Sequence, residues 1–422
     1  MNLKLPFKNI NLKTITDFMF IFINFKIIIA IVAIYYYYIN HPFWFYKDAV
    51  NNCYLVFYKY FNKGIINKYP TYHIETHNKI FNIKSHNVID NNIVSFINDN
   101  YSNNINKYKY DRDFLNNIIN SKENLPTIYS INSNKTPNKI IAIGIGYNSK
   151  LIIYGIEYLL YYADYLCVST TERGKGVFKT LFNHALTQNI NSKCPLFLFK
   201  KDYNPLPIKH LIKYTYHLVF DQINDKSNDK SNESFFGNLV NHINNITILS
   251  NDLLLHNNQD IMTHVYDLYL QNIRGKSIYN ILSKDEFINY LNNDNIHIYI
   301  YSETYDKLIN VINVICIYDT HIHNTQSNKD IYEIIFTLRN TRYESEFKHT
   351  DIIEELKNSM IMKIRSDFRD KYIITSSING NYDLSSVKNA KKYNNSLSTC
   401  YYYLYNFNNE DSGDEDVFLL YL

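Results

Sequence analysis

Tyr165-Leu166-Cys167-Val168-Ser169-Thr170-Thr171-Glu172-Arg173-Gly174-Lys175-Gly176-Val177-Phe178 reads as a strand, a glycine-bearing turn and the first turn of a helix. Val177, Phe178, Leu181, Phe182, Ala185 and Leu186 recur at helical spacing and make one apolar face. Glycine lets backbone amides come close to a ligand, and the start of a helix favours anions. Gly174 and Gly176 supply the first property; Arg173 and Lys175 add positive charge. Residues 173–178 are therefore a candidate cradle for a pyrophosphate. The plain alternative is a tight structural turn with solvated basic side chains.

The carboxy-terminal run Val417-Phe418-Leu419-Leu420-Tyr421-Leu422 is the second informative stretch. Chain ends are usually polar and frayed, whereas this one is apolar and follows the acidic stretch Glu410 to Asp416. It reads as a buried strand. An α-carboxylate held inside a protein is a fixed base that needs no side chain.

The chain has 422 residues, of which 46% are hydrophobic, enough to bury two or three cores. Its 41 tyrosines lie in an Asn-, Ile- and Lys-rich composition of the kind AT-rich genomes produce. A net charge of +3 gives no electrostatic case for nucleic acid. Cys53, Cys167, Cys194, Cys316 and Cys400 are odd in number and lack CxxC spacing, so the sequence predicts neither a disulfide framework nor a zinc site. His321-Ile322-His323 lacks a third ligand and reads as part of a polar loop over 319–329. Cys167 reads as inert strand packing rather than as a nucleophile.

Phe18 to Tyr38 is apolar and long enough to cross a bilayer, with Asn24 and Lys26 interrupting it. We read it as a single membrane anchor; the alternative is a buried or interfacial helix. Strands alternate with helices from about 127 to 220. Asp225 to Ser234 carries a short DKSN repeat without apolar periodicity and reads as a solvated linker. A second αβ region runs from about 246 to the end. Two αβ halves joined by a polar loop is the architecture the pattern predicts.

The strand–Arg-Gly-Lys-Gly–helix order resembles the coenzyme A loop of the GNAT acyltransferases. Within that superfamily the closer resemblance is to the eukaryotic N-myristoyltransferases (glycylpeptide N-tetradecanoyltransferases). Tyr165 to Val168 is similar to that family's Phe-Leu-Cys-Val strand, and Arg173 to Val177 falls on its Arg-Ser-Lys-Arg-Leu/Val segment. Asn98-Asp99-Asn100-Tyr101 is similar to its Leu-Asn-Glu-Asn-Tyr, and Tyr108 to Leu115 to its Phe-x-Tyr-Ser-Pro-Glu-Phe-Leu. Leu206-Pro207 with His217 falls on Leu-Pro…Tyr-Trp-His. Tyr402-Tyr403-Leu404-Tyr405-Asn406-Phe407, followed by the apolar terminus, resembles its Tyr-Tyr-Leu-Tyr-Asn-Trp end. Phe43-Trp44 is a weaker trace of its Phe-Trp-x-Thr-Gln-Pro element.

The resemblance implies an α/β (α+β) fold of two GNAT-like halves in a pseudo-symmetric arrangement, here preceded by the hydrophobic segment 1–40. Residues 41–222 would bind acyl-CoA, 223–245 would link, and 246–422 would bind peptide. The implied reaction moves a myristoyl group from its CoA thioester to an N-terminal glycine amine. Myristoyl-CoA is then a co-substrate, and no cofactor or metal is held permanently. The backbone amides of Tyr165 and Leu166 would form the oxyanion hole, and the Leu422 carboxylate would be the base. Val168, Arg173, Gly174, Lys175, Gly176, Val177 and Phe178 would hold the CoA. Tyr101, Tyr108, Tyr110, His217, Tyr403 and Asn406 would line the peptide site. The resemblance also implies a monomer working in the cytosol, where acyl-CoA is found, with the catalytic part facing that side of any anchor.

Three departures fall in the peptide half. Ser102 to Lys107 lacks the family's acidic cluster, so a preference for lysine-bearing peptides does not carry over. Asn395 to Thr399 replaces its Gly-x-Gly-Asp-Gly, and no Thr-Gln-Pro follows Phe43-Trp44. Two other readings therefore stand beside the transferase: a non-catalytic scaffold of the same fold, and a GNAT enzyme that uses a short acyl-CoA.

Overall fold

The computed structural model describes residues 12–41, 44, 63–68, 81–102, 105–120, 126–191, 194–202, 204–220, 246–249, 259–305, 308–340, 350–381, 398–408, 412–413 and 416–420. Phe43, the expected linker 223–245, Asn395–Leu397 and Leu422 lie outside them. In chain order the elements begin with α1 (Leu12–Asn40), β1 (Gly64–Ile65), β2 (Asn82–His86), α2 (Asn91–Tyr101), β3 (Asn106–Tyr108) and α3 (Arg112–Asn120). There follow β4 (Thr127–Asn132), β5 (Ile140–Ile153), β6 (Ile156–Val168), α4 (Val177–Asn191), β7 (Phe197–Asp202), β8 (Ile212–Phe220) and β9 (Ile246–Leu249). Next come α5 (Gln259–Ile273), β10 (Ile278–Tyr279), α6 (Lys284–Leu291), β11 (Ile296–Tyr305), β12 (Leu308–Asn324) and β13 (Lys329–Arg339). The last are α7 (Thr350–Asp367), β14 (Tyr372–Ser376), β15 (Ser398–Tyr405), β16 (Phe407–Asn408) and β17 (Val417–Phe418).

Two compact units result: residues 1–67 with 206–209 and 406–409, and the remainder. In the smaller unit, the Tyr37 hydroxyl of α1 donates to the Pro207 carbonyl at 2.5 Å. There β1 also pairs antiparallel with β16. Phe20–Asn40 is long and apolar enough to span a bilayer, a test that core helices and signal sequences also pass.

Among the described residues, the larger unit is built on a sheet of 15 strands. Two strand–helix–strand units organise it, β6–α4–β7 and β13–α7–β14, each with its strands parallel. The chain then crosses over: β8 pairs with β14, and β15 pairs with β7. Each repeat lends its next strand to the other, with β15 and β8 side by side in the middle. The expected αβ repeats thus share a continuous sheet.

The helices pack as their periodicity requires. Val177, Leu181, Phe182, Ala185 and Leu186 of α4 are buried, and Phe182 meets Phe197 at 5.1 Å and Phe199 at 5.6 Å. Leu356, Met360, Ile361 and Ile364 of α7 pack with Ile315, Ile317, Ile334 and Ile373 of the sheet. Such side chains contribute about 1.5–3 kcal/mol each on burial.

One sequence expectation is corrected here. Residues 319–324 are not loop: β12 runs to Asn324, and the turn is Thr325–Asn328. Ile322 pairs with Ile331 on one side and with Tyr108 on the other, so sheet pairing overrides the local polarity. His321 takes φ +53° at the accompanying bulge.

The terminal strand β17 lies parallel to β10, and residues 417–420 are buried. Beyond the strand, two buried asparagine side chains stand in for a neighbouring strand. Asn379 accepts from Leu419 N–H at 2.6 Å and donates to its carbonyl at 2.7 Å. Asn280 does the same for Leu420, at 2.8 and 3.0 Å. Asn280→Ala strips a donor and an acceptor from buried backbone, at about 1–3 kcal/mol each. Chemical denaturation should show a loss of about 2–6 kcal/mol; a loss below about 0.5 kcal/mol would contradict the clamp.

Candidate functional site

The ladder between β5 and β6 runs regularly to Ile145↔Asp164 and resumes at Ile143↔Cys167. Tyr165 and Leu166 therefore stand opposite Gly144 alone, a β-bulge. Tyr165 takes φ +48°, which turns its amide out of the regular ladder direction. A Cβ at Gly144 would lie 2.9 Å from Leu166 Cδ2, so any side chain there would push the tip of Leu166 aside. Asp164 Oδ1 accepts the Tyr165 N–H at 2.7 Å, and Oδ2 accepts from the Tyr162 hydroxyl at 3.3 Å.

β6 ends at Val168, and the glycine turn follows. Gly174 and Gly176 take φ +79° and +82°, values that cost other residues about 1–2 kcal/mol, and both face open space. Arg173 ties the turn down by donating to the carbonyls of Val168 at 3.2 Å and Asn100 at 3.1 Å. Lys175 pairs with Glu172 at 3.2 Å. α4 starts at Val177, which is buried, and Phe178 packs on Phe182 at 5.6 Å.

β6 and β7 pair only over Tyr161–Ala163 and Phe197–Phe199 and then part. Beyond that point opens a cleft of about 600 Å³. Its walls are the alternate residues of successive strands, such as Lys200 and Asp202, Tyr214 and Tyr216, Glu333 and Ile335, and Cys400 and Tyr402. Asp164 and Tyr165 are consecutive yet both line it, a consequence of the bulge. Leu419 also lines it.

Of the residues expected to bind substrate, Tyr101, Tyr108 and Tyr110 all line the cleft. Tyr165 meets Tyr101 at 6.0 Å and Tyr110 at 5.7 Å, and Tyr101 meets Tyr108 at 5.6 Å. The other three lie elsewhere. His217 is out of phase with the cleft-lining Tyr216 of β8, and its Nε2 meets Thr215 Oγ1 at 3.1 Å. Tyr403 is fully buried and stacks on Phe199 at 5.4 Å, while its neighbour Tyr402 lines the cleft. Asn406 belongs to the smaller unit, where its side chain donates to the Asn67 carbonyl and accepts from the Asn67 amide, both at 2.8 Å.

Sequence reasoning missed the ionisable groups of the cleft, Asp164, Lys200, Asp202 and Glu333. The available signal was a charged residue inside an otherwise apolar, strand-like run. Burial raises the Asp164 carboxyl above the usual carboxylate range, against the opposing pull of the Tyr165 amide and Lys200. Burial raises Glu333 likewise. Burial works against the Lys200 ammonium, but Tyr214, Tyr216 and Asp202 outweigh it and hold the group well above its ordinary value. Lys200 Nζ lies 3.1 Å from the Tyr216 hydroxyl and 3.9 Å from Asp202.

Burial pushes the Cys167 thiol up to about 12, with Arg173 pulling the other way. It is no thiolate at neutral pH, which fits packing rather than nucleophilic attack. His321 bonds Asn295 at 2.8 Å, and His323 bonds Asp330 at 2.8 Å. Among the described residues no group of three His, Cys, Asp or Glu side chains is placed to hold a metal ion.

No protein-family model matches the chain, and no curated protein matches it by sequence. Solved structures do match it by shape. A crystal structure of Saccharomyces cerevisiae N-myristoyltransferase with bound myristoyl-CoA aligns with a TM-score of 0.63 at 14% identity, covering 90% of this chain and 99% of the other. A second, with bound myristoyl-CoA and inhibitors, aligns at 0.64 and 14%, covering 93% and 100%. The fold is that of the N-myristoyltransferases. At 14% identity the likeness rests on the path of the backbone and not on shared side chains.

The pairing of His323 has a measurable consequence. Hydrogen bonds from Lys371 and His323 hold the Asp330 carboxyl down at about 2, helped by Lys109. Its stabilisation is therefore complete above the ordinary Asp value of about 4 and is lost as pH falls through about 2. Asp330 is about a third exposed (35%), so water screens the cluster and the contribution is about 1 kcal/mol. Asp330→Asn should lower stability by that amount at neutral pH and by nothing near pH 2 in denaturant titrations. An equal loss at both pH values would contradict the pairing.

Proposed function

We propose that the protein transfers a long-chain acyl group, myristoyl first among them, from its CoA thioester to the amine of an N-terminal glycine. The observation that carries this reading is the Tyr165–Leu166 bulge. It lies between a positive-φ glycine turn and a tyrosine-walled cleft, on a fold whose yeast examples were crystallised with myristoyl-CoA.

In this reading the CoA phosphates lie along Arg173–Phe178, and the thioester carbonyl reaches the bulge. The glycine amine enters through the cleft and attacks the carbonyl carbon. The C–N bond forms, and negative charge builds on the carbonyl oxygen, facing the Tyr165 and Leu166 amides. As the charge returns, the C–S bond breaks, the attacking nitrogen gives up a proton to the departing sulfur, and CoA leaves as its thiol. An ammonium cannot attack, and a free α-amino group has a pKa of about 7.7–8.0, so a base must take one proton. The Leu422 carboxylate fills that role. What supports this is that Leu419, three residues before it, lines the cleft, and that Asn379 and Asn280 bond the backbone of Leu419 and Leu420.

Two variants test the parts separately. Extending the chain by a few residues past Leu422 moves the carboxylate. Transfer of labelled myristate to glycine-initiated octapeptides should fall by about 100-fold or more, with acyl-CoA affinity unchanged. Full activity in the extended chain would remove the terminal carboxylate from the mechanism. Gly174→Asp places a negative charge, and strain at φ +79°, where the phosphates should lie. Its acyl-CoA affinity, measured by calorimetry, should fall at least about tenfold. Unchanged affinity would place the phosphates elsewhere.

A further inference from the structure

The residue before the bulge is an acid, and the Tyr165 amide points at it. The hydrogen bond from Tyr165 N–H to Asp164 Oδ1 is 2.7 Å, short and well formed. Under the reading above, that N–H is one of two donors for the thioester oxygen. An amide already given to a carboxylate cannot serve a second acceptor equally well. A carboxylate beside a developing oxyanion also repels it, and more strongly where water is excluded.

We propose that Asp164 gates the oxyanion site: ionised, it occupies the Tyr165 amide and closes the site; neutral, it yields the amide to the reacting thioester. Asp164 is thus a positioning residue that acts through Tyr165. The inference rests on the acyl-transfer reading.

The surroundings set the balance between the two forms. Lys200 and Asp202 face Asp164 from β7, Tyr101 from α2, Tyr110 from the segment before α3, Tyr402 from β15 and Tyr162 from its own strand. Burial and Asp202 favour the neutral form. Lys200, the Tyr165 amide and the Tyr162 hydroxyl favour the ionised one. Burial raises all four tyrosines above their ordinary range, so they stay neutral near neutral pH. Asp164 has a raised folded-state value, so the open form prevails on the acid side and is lost as pH rises through that value. The substrate amine needs the opposite change. Acyl transfer should therefore fall on the alkaline side earlier than an amine-limited reaction would.

The test uses the full chain and a non-hydrolysable ketone analogue of myristoyl-CoA, labelled with ¹³C at the carbonyl. Hydrogen bonding to a carbonyl moves its ¹³C resonance downfield. In the wild type the bound resonance should move downfield as pH is lowered through the titration of Asp164, whose carboxyl burial raises. In Asp164→Asn it should stay downfield throughout, and acyl transfer should lose its alkaline fall. Glu333, also raised by burial, is untouched in that variant, which separates the two acids. A wild-type resonance that ignores pH, or the same titration in Asp164→Asn, overturns the gate and leaves the transferase reading standing. No binding of the analogue to wild type overturns both. The wild-type titration decides the matter even if the variant fails to fold.

Discussion

Where β6 and β7 stop pairing after Ala163 and Phe199, the backbone beyond must be satisfied in some other way. Much of the larger unit follows from that single parting. β6 bulges against Gly144 and sends its next amide to a side chain, Asp164. The strand then runs into a turn held to α2 through Asn100. β7 pairs on its other edge with β15, borrowed from beyond the second repeat. The gap between the parted strands becomes the cleft, and its walls inherit the period-two alternation of every strand that reaches it.

The second repeat imposes the same constraint on β13 and β14, which pair over Ile331–Ile334 and Tyr372–Thr375 before β13 runs on to Arg339. There the backbone is answered by side chains. Asn379 donates to the Ile335 carbonyl as well as serving both polar groups of Leu419. One asparagine thereby links the parted strand to the carboxy-terminal segment. Residues 417–420 are held by burial and by hydrogen bonds from Asn379 and Asn280 to Leu419 and Leu420, rather than by a long strand pairing.

Local signals carried a good part of this. The apolar face of α4, the strand ending at Val168 and the two glycines of the turn each depend on neighbouring residues, and each is where the pattern placed it. Tyr101, Tyr108 and Tyr110 were also legible, because a short segment brings them together. The ionisable cleft was not. Asp164, Lys200 and Glu333 come from strands far apart in sequence, and only the sheet order makes them neighbours. His217 and Tyr403 illustrate a second limit: adjacent strand residues face opposite sides, and it is their neighbours Tyr216 and Tyr402 that line the cleft. Residues 319–324 illustrate a third, since their polarity says loop while pairing with β3 and β13 makes them strand.

In the reading proposed above, the glycine turn and the bulge hold the acyl-CoA and the cleft admits the glycine amine. Calorimetric titration of the full chain with a non-hydrolysable myristoyl-CoA analogue, in the presence and absence of excess acetyl-CoA, tests it most directly. Micromolar or tighter binding that acetyl-CoA does not displace, followed by binding of a glycine-initiated peptide to the complex, is expected. A folded sample that gives no heat with the analogue, or loses it to acetyl-CoA, would contradict the account.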